Sequence, residues 1–221
     1  YDIGIIGGGN LGRSIAMGLL FSEKIKASNI TVTRRKIHLI EDLKAKGIKV
    51  SNNNSDAVKG KKVIIIAVKP HQTEKIITEI KPLLQKDQIL VSVVTGVKIE
   101  VLKEYCGPEV HVFRAMPNTA IAIRESMTCI STRDDSAENK DIVFSIFDQL
   151  GKTIKIDEEL MDASTVLAAC GIAYALRFIR AASQGGIEIG FDSSTAQLIA
   201  SQTVRGAAGL LIEGGEHPEY E

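Results

Sequence analysis

At 221 residues with 44% hydrophobic content, the chain is long enough for one large domain, or for a medium domain with a smaller one. Its 27 Lys and Arg balance 27 Asp and Glu, so no global field draws it to nucleic acid or to an anionic membrane. The three widely spaced cysteines, Cys106, Cys129 and Cys170, lie in apolar sequence and fit reduced thiols rather than a disulfide frame. No CxxC or His pair suggests a metal site. The start lacks the basic-then-apolar layout of a signal peptide. The longest uncharged apolar stretch, Ala163 to Leu176, falls short of the ~20 residues that span a bilayer. A soluble cytoplasmic protein is expected, with small molecules or copies of itself as partners, and no nucleic acid or membrane.

The apolar run Ile3 to Ile6 reads as a buried strand, and Gly7-x-Gly9-x-x-Gly12 follows it at once, opening into helical apolar spacing at Leu11, Ile15, Leu19 and Leu20. That is the context of a dinucleotide fingerprint. Gly7 allows the tight turn, Gly9 lets a pyrophosphate approach the backbone, and Gly12 lets helix pack close to strand. The helix N-terminus offers unpaired N–H groups and partial positive charge to the phosphates.

Asn29 to Thr33 is a second strand, followed by an amphipathic helix over Lys36 to Lys46 with Ile37, Ile40 and Leu43 inward. Where an NAD-selective site places an acid for the ribose 2′-hydroxyl, this chain has Arg34, Arg35 and Lys36. Cations cannot accept that hydrogen bond, but arginine can hold a 2′-phosphate through two parallel bonds, so NADPH is expected over NADH. A short strand, Gly47 to Val50, leads to the polar turn Ser51 to Ser55 and a helix near Asp56. Lys61 to Val68 is an unbroken apolar strand of the kind buried on both faces in a parallel sheet. It ends at Ala67-Val-Lys-Pro70, so Lys69 and its neighbours should face the cofactor; His71 has no carboxylate nearby in sequence to orient it.

A helix from Thr73 to Leu84 precedes strand Gln88 to Ser92 and the loop Val93-Val-Thr-Gly96. A short helix from Ile99 to Tyr105 and strand Val110 to Ala115 bring the chain to Asn118 and Thr119, which either address a ligand or cap a loop. Strand Met127 to Ser131, helix Ala137 to Leu150 and strand Thr153 to Ile156 complete a doubly wound, mostly parallel α/β sheet. From residue 157 the pattern is helical and apolar nearly all round, over Glu158 to Ala182 and again over Ser193 to Ile212. Such helices need cover on every side, and a segment of this length is marginal alone, so an obligate dimer built from them is expected. Gly171, Gly185, Gly186 and Gly190 read as packing glycines, and Gly214 to Pro218 as a turn.

Several of these segments together resemble the pyrroline-5-carboxylate reductases: Gly7-Gly-Gly-Asn-Leu-Gly12, Ala67-Val-Lys-Pro70, Arg114-Ala-Met-Pro-Asn-Thr119, Asp157-Glu-Glu-Leu-Met-Asp162, Gly171-Ile-Ala-Tyr174 and Ser201-Gln-Thr-Val-Arg-Gly-Ala-Ala208. The resemblance implies a Rossmann-type domain over residues 1–156 and a small all-helical dimerisation and substrate domain over 157–221, with the imino acid held between them. It also implies an NAD(P)H-dependent oxidoreductase that reduces 1-pyrroline-5-carboxylate to L-proline, the last step of proline biosynthesis.

The cofactor contacts expected on this basis are Ile6, Gly7, Gly8, Gly9, Asn10, Leu11, Gly12, Arg34, Arg35, Lys36, Asn54, Ala67, Val68, Lys69, Pro70, Val93, Val94 and Thr95. Asn118 and Glu158 are the expected substrate contacts, Glu158 matching a family position implicated in binding proline. NADPH is the expected cofactor, NADH remains open, and no catalytic side chain is assigned. Cyclic imine reduction needs little acid–base machinery, since the imine can take its proton from water before binding.

Two departures stand out. The family's Arg-x-Met-Pro-Asn-Thr-Pro has Ala120 in its last place, and its Ser-Gly-Ser-Gly-Pro-Ala-Tyr is Ala168-Ala-Cys-Gly-Ile-Ala-Tyr174. Family members also continue into a Ser/Thr-Pro-Gly-Gly loop that grips the imino acid, whereas this sequence ends at Glu221. The expectation is a fragment, an unrecorded continuation, or lost turnover, the last leaving an NADP-binding paralogue that acts as regulator or scaffold. A hydroxy-acid dehydrogenase would need a catalytic lysine in the helical part, and residues 158–221 contain none.

Overall fold

A computed structural model describes residues 1–134 and 136–215. Eight strands form one sheet in the order β3-β2-β1-β4-β5-β6-β7-β8. They are β1 (Ile3–Ile6), β2 (Ile30–Thr33), β3 (Lys49–Ser51), β4 (Val63–Ile66), β5 (Ile89–Ser92), β6 (His111–Met116), β7 (Ser126–Thr132) and β8 (Gly151–Lys155). The first six are mutually parallel, with the order reversing between β1 and β4 as in doubly wound sheets.

β7 runs antiparallel to β6, and β8 runs parallel to β7. A parallel crossover needs about a dozen residues or more. The link from Met116 to Ser126 is too short for one and folds into a tight 3₁₀ turn, Thr119–Ile123, closed by Arg124 in the left-handed region.

Two helix layers cover the sheet, sorted by strand alternation. On one face, Ile3, Ile5, Ile65 and Phe113 pack under α1 (Asn10–Phe21), α2 (Glu41–Ala45) and α5 (Ala137–Phe147) through Ile15, Leu19, Leu43, Ile146 and Phe147. On the other, Ile6, Ile64, Ile66 and Leu90 pack under α3 (Thr73–Ile80) and α4 (Ile99–Cys106) through Ile77, Ile80 and Leu102. The helix expected over Lys36 to Lys46 is a 3₁₀ turn, Ile37–Ile40, followed by the short α2. The helix expected near Asp56 is a single 3₁₀ turn capped by Asn53.

Asp134 ties α5 to β6. Its carboxylate accepts the Ser136 N–H at 2.9 Å and the Asn139 amide at 3.0 Å, and lies 2.7 Å from His111 Nδ1. Burial pushes this carboxyl up, but those hydrogen bonds and the imidazole outweigh it and hold it below its ordinary 3.8. A folded value below the unfolded one contributes stability that is present above pH ~4 and is lost as pH falls through the folded value. Asp134→Asn should therefore lower stability at neutral pH and flatten the acid side of the stability curve, as read by urea melts at pH 7 and below pH 4.

The contacts divide the chain into two units, Tyr1–Cys170 and Gly171–Glu221. This boundary lies later than residue 157, because the segment entering the helical part is anchored on the sheet. Met161 is fully buried against Met116 and Cys129. That segment runs as α6 (Met161–Ser164) and a π-helical turn, Thr165–Ala169, followed by Cys170, which is exposed within the chain.

The second unit is α7 (Gly171–Glu188) and α8 (Ser193–Gly214), an antiparallel hairpin whose second helix is capped by Asp192. A Cβ on Gly186 would come within 3.0 Å of the Ala196 side chain, so this glycine sets the helix spacing. Gly190 serves the turn at φ +111°, while a Cβ on Gly171 or Gly185 would meet nothing within 4 Å among the described residues. Only Ala196 and Ala200 are buried on α8, and no residue on α7 is. By length and composition alone the helical run Glu158–Glu188 is long and apolar enough to cross a membrane, a run that includes Arg177 and Arg180 and so extends past the uncharged stretch Ala163 to Leu176. Its first residues are engaged with the sheet instead, through Glu158 and Met161. The expected turn at Gly214 begins with Gly215 capping α8; from Glu216 onward it lies outside the described residues.

Candidate active site

The glycine turn lies at the carboxyl edge of β1. Gly7 takes φ +108°, and the Gly7 and Gly8 N–H groups donate to Thr33 O at 3.1 and 2.8 Å, spending both on the end of β2. The first bond within α1 runs from Arg13 N–H to Gly9 O at 2.9 Å, and no side chain caps the helix. The N–H groups of Asn10, Leu11 and Gly12 thus precede the helical ladder, as an anion site requires. A Cβ on Gly9 would meet nothing within 4 Å among the described residues, whereas one on Gly12 would lie 2.1 Å from Gly7 O. Space has been kept over Gly9 and removed at Gly12, so the two glycines do different things.

Arg34 reaches back from the end of β2, its Nη1 donating to Gly8 O at 2.7 Å, while Arg35 and Lys36 are exposed beside it. Thr33 Oγ1 donates to Asn54 Oδ1 at 2.8 Å, and the Asn54 amide donates to Glu79 at 3.2 Å, which fixes Asn54 against the same strand end. Arg13 on α1 makes a two-pronged ion pair with Asp42 on α2 and holds that carboxyl below the usual carboxylate range. Ala67 follows β4, and its carbonyl sits where a Gly7 Cβ would be, at 2.2 Å. Lys69 and Pro70 are exposed, Val68 less so.

The structure brings these expected residues to one sheet edge, but not all by their side chains. Ile6 is buried, and its carbonyl is taken by Ala67 N–H at 2.8 Å. Val93 and Val94 point into the two opposite cores, so only their backbone faces the edge; Thr95 is exposed. Asn118 is a cap: its Oδ1 accepts Ala120 N–H at 3.0 Å and its amide donates to Ala168 O at 3.2 Å. Thr119 is exposed beside it.

Glu158 is the most heavily engaged of the expected residues. Its Oε1 accepts the Ile99 N–H, the first of α4, at 2.6 Å and Arg114 Nη1 at 3.1 Å; its Oε2 accepts Arg133 Nη2 at 3.3 Å. Sequence reasoning assigned no role to Arg114 or Arg133. The signal was present, since Arg114 is a charge inside the apolar strand Val110 to Met116. The registers Ile6↔Ile66, Ile66↔Ser92 and Ser92↔Arg114 place Arg114 in one row with the end of β1. At ~4.8 Å per strand, it lies about 14 Å along the edge from the glycine turn. Burial pushes the thiols of Cys106 and Cys129 up, away from the nucleophilic form. Among the described residues, no three His, Cys, Asp or Glu side chains are grouped to hold a metal ion.

Residues 2–96 match the family model described as NADP oxidoreductase coenzyme F420-dependent, and residues 158–220 the one described as pyrroline-5-carboxylate reductase dimerisation. Pyrroline-5-carboxylate reductase 2 of Dictyostelium discoideum is 39% identical over the whole chain, which covers 79% of that protein. Pyrroline-5-carboxylate reductase 1 of the same organism is 43% identical; the chain spans only 43% of its length. Among solved structures, a pyrroline-5-carboxylate reductase from Coxiella burnetii superposes with a TM-score of 0.90 at 28% identity, covering 99% of this chain and 82% of that one. The Plasmodium falciparum pyrroline carboxylate reductase, solved with NADP bound, shares the fold with a TM-score of 0.89 at 24% identity, covering 99% and 81%.

Proposed function

Because this chain belongs to the pyrroline-5-carboxylate reductase family, we propose that it reduces 1-pyrroline-5-carboxylate to L-proline with NADPH. The observation that carries the reading is the uncapped start of α1 beneath the open space at Gly9, flanked by Arg34 from the neighbouring strand. In this reading the N–H groups of Asn10, Leu11 and Gly12 hold the pyrophosphate, and Arg34, Arg35 and Lys36 neutralise the 2′-phosphate. Bound NADPH would supply the hydride. Ala67 to Pro70 and the backbone of Val93 to Thr95 line its path along the sheet edge. Glu158 accepts a hydrogen bond from the ring nitrogen of the imino acid, whose protonation makes the adjacent carbon electrophilic. The protein's main contribution is then proximity, an effect worth up to ~7–11 kcal/mol.

Homo-oligomerisation accompanies the dimerisation family match, and we read the assembly as at least a dimer formed through α7 and α8. That reading also gives their apolar faces a partner. The relatives reported above are named as reductases, and none of them supports the regulator alternative.

Full-length protein mixed with NADPH and pyrroline-5-carboxylate should consume NADPH and form proline, with NADH used less efficiently. Arg35→Ala combined with Lys36→Ala should reduce the NADPH preference roughly tenfold, two exposed charge contacts at ~0.5–1 kcal/mol each. NADPH binding without any turnover would sink the assignment.

A further inference from the structure

We propose that Arg114 is a positioning residue for the substrate, acting through Glu158: with the Ile99 N–H it fixes that carboxylate and leaves one lone pair of Oε2 for the imino acid's ring nitrogen. The inference rests on the reading of Glu158 as a substrate contact.

A carboxylate offers about four acceptor sites. Three are used here, by Ile99 N–H, Arg114 and Arg133. Both interior donors go to Oε1, whereas among the described residues Oε2 has only Arg133, whose side chain is 63% exposed. The free site is therefore on the oxygen less tied to the interior.

Arg114 is an unusual group to bury for packing alone. Its side chain is 3% exposed, and Glu158 is its only ion-pair partner among the described residues. Its Nε and Nη2 are buried without a partner among the described residues. Burying a guanidinium with two unmet donors costs stability, and an apolar side chain of similar volume commonly does as well or better in such a place. What an apolar residue cannot do is orient a carboxylate. Arg114 also stands opposite Ser92, the last residue of β5, and Ile99 begins the helix that follows β5, so the pair brackets Glu158 at the carboxyl edge.

The test compares wild type, Arg114→Met, Arg114→Lys, Glu158→Gln and the Arg114→Met/Glu158→Gln double variant in the full-length protein. Each is measured for KM and kcat with pyrroline-5-carboxylate, NADPH dissociation constant and melting temperature. Arg114→Met should raise KM roughly 10- to 100-fold, as for the loss of a charge-assisted hydrogen bond, while the NADPH constant stays within about twofold and the melting temperature does not fall. Arg114→Lys should recover part of the loss, retaining the charge without the planar geometry. In the Glu158→Gln background, Arg114→Met should add less than about twofold, because the two act as one unit.

Effects of the two substitutions that multiply would overturn the inference, as would an Arg114→Met loss that follows melting temperature and NADPH binding in parallel. Multiplying effects in an active enzyme sink the positioning role alone. Wild-type protein that binds NADPH yet neither binds nor reduces the imino acid sinks the reading of Glu158, and the inference with it.

Discussion

Replacing Gly9 with aspartate should leave the fold as stable as before and weaken NADPH binding by a factor of about 100 or more, near 3 kcal/mol. A Cβ at this position meets nothing within 4 Å among the described residues, so the substitution creates no clash with them. Gly9 is also the N-cap of α1, with extended backbone and no side-chain bond to the helix. Aspartate there can accept the N–H of Leu11 or Gly12, which favours the helix by roughly a few tenths of a kcal/mol over glycine. Those donors are the ones the pyrophosphate needs, and each charge-assisted bond lost is worth ~1.5–3 kcal/mol. The added carboxylate also repels the phosphates.

Gly12→Ala, unlike Gly9→Asp, should cost stability as well. Its Cβ lies 2.1 Å from Gly7 O, so the turn must move, with overpacking of this kind costing ~1–3 kcal/mol of stability. NADPH fluorescence titration beside thermal melts separates the two outcomes. A Gly9→Asp protein that binds NADPH as wild type would remove α1 from the cofactor site.

The second large effect is on assembly. Phe178→Glu together with Leu198→Glu should shift the oligomer to monomer in sedimentation velocity, raising the dissociation constant more than about 100-fold. Phe178 is 63% exposed and Leu198 69% exposed within the chain, alongside Tyr174, Leu176, Leu210 and Ile212. Covering one such side chain gains ~1.5–3 kcal/mol, and two together account for that shift before any penalty for burying the new carboxylates. The hairpin has nothing of its own to replace this, since only Ala196 and Ala200 are buried in it. NADPH binding by the first unit should survive the substitutions. An unchanged sedimentation coefficient would mean that these faces are not the subunit contact.

Much of this was readable from local pattern. The run Val63 to Ile66 is apolar at every position because a central parallel strand is covered on both faces, and its neighbours Ile64 and Ile65 do enter opposite cores. Gly7 and Gly12 sit where a turn and a close contact exclude side chains, which the spacing alone announces. The sequence reading of a mostly parallel sheet holds, but which strand is antiparallel was not assigned, because strand direction leaves no trace in hydrophobic period. That assignment follows from the length of the link after Met116, once β6 and β7 are known to pair. The contact boundary at Cys170 leaves no trace in the pattern, since Met161 is apolar whether it packs on a helix or on the sheet, while the dimerisation family match over residues 158–220 begins where the pattern changes.

The sequence by itself determined the strand and helix periods, the glycine turn, and the basic end of β2, because each depends on neighbours within a few residues. Only the tertiary structure decided which oxygen of Glu158 meets Ile99 and Arg114, and that Arg114 is buried with Nε and Nη2 unmet among the described residues. Those facts depend on residues 44 and 59 positions apart in the chain. Their distances are set by the sheet register and the packing of α4, and local propensity carries no record of either.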